Sequence, residues 1–184
     1  MRLRSAPLRG ALVALALACF ASAAHATAIT GVEVMTSTIF QEHQSSFSGL
    51  AARLRMHSAL LIPEIEFLPS VEYWRNHVSV STFDIESTRR DATLGVSGRY
   101  TFRHAGWSPY GGAGFGAHFL STEVNAPSLG LVNQEHSVIL GAVSLLGGVT
   151  FPLQSSIDSF IDVQYHHLPD QSQLKINWGL GFKF

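Results

Sequence analysis

The stretch from Leu174 to Phe184 reads LKINWGLGFKF. Every second residue from Ile176 is apolar, giving Ile176, Trp178, Leu180, Phe182 and Phe184, while the other parity holds Lys175, Asn177, Gly179, Gly181 and Lys183. A helix turning about 100° per residue would scatter both sets around its axis, so the period of two predicts a strand. The segments before it repeat the alternation and the sequence closes on an aromatic residue. That combination points to a closed barrel whose apolar face is turned to lipid.

Seven further strands are expected upstream. Strand one, 31–40, sends Val32, Val34 and Phe40 outward and Glu33 inward. In strand two Leu50, Leu54 and Met56 face out, with Arg53 and Arg55 inside. A turn at His57 and Ser58 switches the parity, so that Leu61, Ile65, Phe67, Val71 and Tyr73 face out and Ile62, Glu64, Glu66, Leu68 and Glu72 face in. Pro63 and Pro69 fit that third strand only at an edge or bulge, because proline lacks the ladder donor. Strand four, 91–102, carries Arg99 inside; strand five, 110–124, sets Phe115 and Phe119 against Gly112, Gly114, Gly116 and His118. Strand six, 137–151, has the weakest pattern, with Leu140 and Leu146 on its inner parity. Strand seven, 157–168, places Asp158, Asp162, Gln164 and His166 inside.

Eight strands bring both termini to one side, the periplasmic side of an outer-membrane barrel. The longest connections, 75–90 and 125–136, then fall outside the cell, the long-loop asymmetry of such barrels. Residues 78–85 are expected to extend their hairpin beyond the membrane. Phe40, Tyr73, Phe119 and Tyr165 would make an upper aromatic girdle; Phe102, Phe151 and Phe184 would make the lower one.

The chain opens with Arg2, Arg4 and Arg9, an apolar run from Ala11 to Phe20, and small residues to Ala26. This reads as a secretory signal peptide, 1–26, cleaved after Ala24-His25-Ala26 and leaving a barrel domain of 27–184. A lipoprotein signal built on Cys19 is the competing reading, and Ala16 stands where that signal usually has Leu. Loss of the leader removes three of the twelve Lys and Arg and none of the thirteen Asp and Glu. The remainder is acidic, at −4, so no nucleic-acid partner is indicated. The single cysteine leaves as well, which excludes disulfides, thiolate metal sites and cysteine nucleophiles.

The alternation, the segment YGGAGFGAHF from Tyr110 to Phe119 and the terminal GLGFKF resemble the small eight-stranded outer-membrane barrels that include the OmpA transmembrane domain and OmpX. The resemblance covers Gly31 to Phe184 and contains no activity motif. It implies residence in the outer membrane of a Gram-negative bacterium, among its lipid and lipopolysaccharide. It also implies assembly by the barrel-insertion machinery, which reads the aromatic-ended last strand through Trp178, Leu180, Phe182 and Phe184. Family roles run from envelope integrity to adhesion.

Inside the barrel, Glu33, Arg53, Arg55, Glu64, Glu66, Arg99, Asp162 and Lys183 should share the periplasmic half of the lumen. An eight-stranded lumen is just wide enough for side chains to fill it, and buried charges must be paired. A structural plug is the expectation, with a narrow pore as the alternative. His118 and His166 are inward with Glu72 or Asp91 near, where they could bind a metal or relay a proton, but two histidines without a set ligand spacing are a weak signal and hydrogen-bonded lumen residues are the expectation. Lipid A deacylases are also eight-stranded barrels, with a His-x-Ser-Asn motif and a later glutamate. Here Leu168 and Pro169 follow His166 and His167 at the serine position and no acidic residue follows Asp170, so Ser172 or Ser121 could serve only if folding brought one beside His167. The glycines at 112, 114 and 116 lack the Lys-Ser/Thr of a phosphate loop. The expected protein is therefore a non-enzymatic scaffold, without cofactor, whose loops 75–90 and 125–136 are available for an extracellular ligand. A lipocalin-like binder would need the opposite polarity, with an apolar lumen.

Overall fold

The computed structural model describes residues 27–41, 45–59, 61–80, 85–102, 104, 106–127, 131–169 and 171–184; the expected leader, 1–26, lies outside them. The strands are β1 (Thr27–Gln41), β2 (Phe47–Ser58), β3 (Ile65–Val80), β4 (Ile85–Thr101), β5 (Ser108–Ala126), β6 (Leu131–Gln154), β7 (Ile157–His167) and β8 (Ser172–Lys183). Each pairs antiparallel with its sequence neighbours, and β1 pairs with β8 from Gly31↔Lys183 to Gln41↔Gln173, closing the ring. Closure leaves no edge within the ring, as a membrane-spanning sheet requires.

The polarity is inverted relative to a water-soluble barrel. Leu50, Leu94, Phe115, Ile139, Val143 and Trp178 face out and are exposed, whereas Glu33, Arg53, Arg99, Asp162 and Lys175 are buried. The outward run from Ala92 to Phe102, at about 3.3 Å per residue and inclined by about 40°, rises about 25 Å, the height of the apolar belt of an outer-membrane barrel.

Three lumenal aromatic residues each lie opposite a glycine on the neighbouring strand: Trp74↔Gly49, Tyr110↔Gly148 and Phe160↔Gly179. A Cβ on Gly148 would sit 2.7 Å from Tyr110 Cζ, and one on Gly179 would sit 2.7 Å from Phe160 Cζ. Each glycine therefore makes the seat for its ring. At the end opposite the termini, Ile39, Trp74, Leu120, Ala142 and Leu168 pack together with Phe47 and Leu140, closing the lumen with an apolar layer. The inner-parity Leu140 of the weakly patterned strand belongs to this layer. At the terminal end, Gly106 at φ 81° reverses the chain between His104 and Trp107, whose rings lie 5.4 Å apart.

The structure corrects two expectations. The third strand starts at Ile65, not Leu61: Leu61 N–H bonds Ser58 O and Ile65 N–H bonds Ile62 O, so Pro63 sits in a turn where its missing donor costs nothing. Ile62 is consequently exposed rather than inside. Pro69 remains in β3, in a gap of the β2 ladder between Arg53↔Ser70 and Met56↔Phe67. The segment 125–136 is mostly strand, since pairing runs to Ala126↔Leu131; in 75–90 the expected extension of the hairpin is present, with pairing to Val80↔Ile85. A ribbon wet on both faces needs no apolar parity, and its polar composition therefore read as loop.

Gly148→Ala should lower the urea midpoint of the lipid-refolded barrel by an overpacking cost of about 1–3 kcal/mol. Gly98→Ala and Gly141→Ala, where an added Cβ meets nothing within 4 Å, should leave it in place. Equal midpoints for all three would refute the seating of Tyr110.

Candidate functional site

The lumen gathers a dense group of ionisable side chains, and their positions follow from register. Glu33 and Arg53 are directly opposite on β1 and β2, and so are Glu66 and Arg99 on β3 and β4. From these pairs the network crosses the barrel. Arg99 donates to Glu33 Oε1 at 2.9 Å and to Glu66 Oε2 at 2.6 Å, and its guanidinium stacks 4.7 Å from the Tyr110 ring centroid. Arg53 donates to Asp162 Oδ2 at 2.7 Å and lies 3.5 Å from Glu33 Oε2. Tyr110 and Asn177 donate to the same Asp162 carboxylate, at 3.1 and 2.5 Å. Nearer the terminal mouth, Arg55 bridges Glu66 Oε1 at 2.9 Å and Asp158 Oδ2 at 3.2 Å, and Lys183 reaches Asp158 Oδ1 at 2.6 Å. Four cations thus face the four carboxylates Glu33, Glu66, Asp158 and Asp162.

The structure brings together seven of the eight side chains expected in this cluster. Glu64 is the exception. It lies in the turn before β3, its carbonyl accepts a bond from Thr101 N–H at 2.9 Å, and its carboxylate has no ionic partner among the described residues. Asp158, Tyr110 and Asn177 complete the cluster. Inner parity marks Asp158 and Asn177, but only the crossing of opposite walls makes them partners.

A second polar layer lies between this cluster and the apolar layer. Lys175 Nζ donates to Glu72 Oε2 at 2.7 Å, both buried. Asp91 Oδ2 lies 2.6 Å from His118 Nδ1, His118 Nε2 lies 3.2 Å from His166 Nδ1, and His166 Nε2 lies 3.1 Å from Gln164 Oε1. Among the described residues, no three His, Asp or Glu side chains are arranged to hold a metal ion. Between the two layers remains a cavity of about 30 Å³, lined in part by Ser70, Thr93, Ser97, Ser144 and His166. That is room for water, not for a ligand.

On the outer wall, folding does bring Ser172 beside His167: Oγ lies 3.4 Å from Nδ1. The same oxygen accepts a 2.9 Å bond from the Tyr165 hydroxyl, and no carboxylate among the described residues orients His167. A nucleophilic serine needs a base that is itself held by a third group. Trp178, Leu180 and Phe182 lie on the outward parity of β8, with Phe184 just beyond it.

No protein-family model matches the sequence, and no curated protein matches it. Solved structures do. Neisserial surface protein A is similar at a TM-score of 0.63 and 16% identity, over 86% of this chain and 99% of that one. The fold is that of a small outer-membrane β-barrel. Ail of Yersinia pestis, solved with the heparin analogue sucrose octasulfate, follows at 0.58 and 13% over 86% and 99%. A major outer membrane protein of Thermus thermophilus follows at 0.61 and 11% over 84% and 99%.

Arg99→Gln leaves Glu33 and Glu66 buried with an incomplete set of partners and should cost the barrel about 3–5 kcal/mol, read as a lower urea midpoint in lipid vesicles. Lys183→Gln, at the half-open mouth, should cost less than about 1 kcal/mol. The opposite ranking would show that the cluster does not hold the barrel.

Proposed function

We propose that this chain is a non-enzymatic outer-membrane barrel that holds a β-sheet platform outside the cell for binding a partner. The observation that carries the reading is the unequal reach of the strands. Toward the far end β2 last pairs with β3 at Trp74 and β7 last pairs with β6 at Val143. Beyond those points β3, β4, β5 and β6 continue as a four-stranded sheet, and residues 131–142 of β6 pair only with β5 among the described residues. The other side of β6 is an open strand edge, which can take up an extended segment of another protein by main-chain hydrogen bonds. Short turns belong to the periplasmic end of such barrels and long hairpins to the outside, which sets this sheet on the cell surface among lipopolysaccharide. The aromatic outer face of β8 is then the surface offered to the insertion machinery.

The two alternatives draw less support. A pore is disfavoured by paired charges and an apolar layer in series along the lumen. A lipid A hydrolase is disfavoured because His167 and Ser172 lack a carboxylate partner; the purified barrel should release no acyl chain from lipid A, and release abolished by His167→Ala would overturn the non-enzymatic reading.

The platform itself is tested by joining Thr122 to His136, cross-strand partners, through a short turn. Escherichia coli displaying the intact chain should adhere to surfaces coated with heparin or with extracellular-matrix proteins. The trimmed chain, still heat-modifiable on gels, should adhere no better than vector alone. Equal adhesion of intact chain and vector would sink the proposal.

A further inference from the structure

On the outer face of β3 to β6, register lines the side chains up in rows that run across the strands. Tyr73, Ala92, Phe119 and Ile139 form one row through successive pairings, and all four are exposed and apolar-bodied. The next row toward the far end is Arg75, Arg90, Ser121 and Ser137; the one after it is His77, Thr88, Glu123 and Glu135. The apolar belt therefore ends in a single step at a row of two guanidinium groups and two hydroxyls. Carboxylates begin only one row further from the membrane.

Arg75 and Arg90 are directly opposite each other, an arrangement that is destabilising unless an anion lies between them. Arg90 donates to Glu123 Oε2 at 3.2 Å, with both side chains more than 40% exposed. Ser121 donates to Glu135 at 2.9 Å. Arg75 is exposed and has no ionic or hydrogen-bonding partner among the described residues. The row thus holds one uncommitted guanidinium beside another that a single carboxylate engages from above.

We infer that Arg75 and Arg90 form a binding site for the phosphate of an outer-leaflet lipid headgroup. The height fits, because the row sits where the roughly 25 Å apolar belt stops and headgroup phosphates begin. The chemistry fits too, since arginine forks match phosphate oxygens in pairs. A lipid held there would pack its acyl chains down the wall over Tyr73 and Ala92. The inference rests on the membrane placement and orientation proposed above, but not on the sheet edge or on any protein partner.

The test is native mass spectrometry of the detergent-solubilised full chain mixed with lipid A, with diacylglycerol as the phosphate-free control. The wild type should retain lipid A in preference to diacylglycerol. The double variant Arg75→Gln, Arg90→Gln should bind lipid A about tenfold more weakly, from the loss of two basic groups at the headgroup level. Arg89→Gln, whose side chain turns instead toward Gln171 at 3.3 Å, should bind as the wild type does. A gel heat shift confirms that each variant is folded. Unchanged retention in the double variant overturns the site. So does full displacement of lipid A by an equal concentration of inorganic phosphate, which would assign the row to free anions. Failure here would leave the adhesion experiment untouched, so the two readings fail separately.

Discussion

Everything inside this barrel depends on the need to neutralise charge where there is no room for bulk water. An eight-stranded lumen is filled by its own side chains, and a carboxylate or guanidinium placed there must find an opposite charge within reach. The chain meets this in two ways. Pairs directly opposite on neighbouring strands, Glu33 with Arg53 and Glu66 with Arg99, tie each hairpin to its register, because a slip of one residue would turn every one of those charges to lipid. Contacts across the lumen, Arg53 to Asp162, Arg55 to Asp158 and Lys175 to Glu72, tie walls that are not neighbours in the sheet. The cluster is worth less as net stability than as specificity: few other registers neutralise all of it.

Packing completes what charge begins. The rings of Trp74, Tyr110 and Phe160 fit inside only because Gly49, Gly148 and Gly179 stand opposite them. Tyr110 also joins the two kinds of order, since its hydroxyl donates to Asp162 and its face receives Arg99. The apolar layer around Ile39 and Leu168 then seals the far end. Among the described residues, ions, rings and aliphatic side chains thus fill the lumen in series, and the roomier space lies at the terminal mouth, beside Arg55, Arg99, His104, Trp107 and Asp158.

Much of this was legible in the sequence for a physical reason. A wall with lipid on one side and paired charge on the other enforces a strict period of two, and the run Ile176 to Phe184 carries it without interruption. Inner parity likewise located Glu33, Arg53, Arg55, Glu66, Arg99, Asp162 and Lys183. Glu64 failed because Pro63 diverts the chain into a turn one residue before the ladder starts. What parity cannot supply is the identity of cross-lumen partners, which depends on barrel shear; Tyr110 beside Asp162 was therefore hidden, whereas His118 and His166 were expected inside with Asp91 near. The extension of the 125–136 hairpin was hidden for the opposite reason, because above the membrane neither face is dry and no alternation is imposed; that of 78–85 was expected.

Strand length carries the last step. A belt about 25 Å tall needs roughly 9–11 tilted residues, and β7 with 11 and β2 and β8 with 12 are close to that minimum. The 19 residues of β5 and 24 of β6 exceed it. That excess goes beyond what crossing the bilayer needs, yet it remains in register with the barrel beneath it, pair by pair, from Leu145 to Gln134, before a register shift leads to Ala126↔Leu131. Along the same ladder the outward residues pass from Ile139 to Ser137 to Glu135, from lipid through the headgroup level to water. The platform is therefore a continuation of the membrane-anchored sheet and not a loop attached to it.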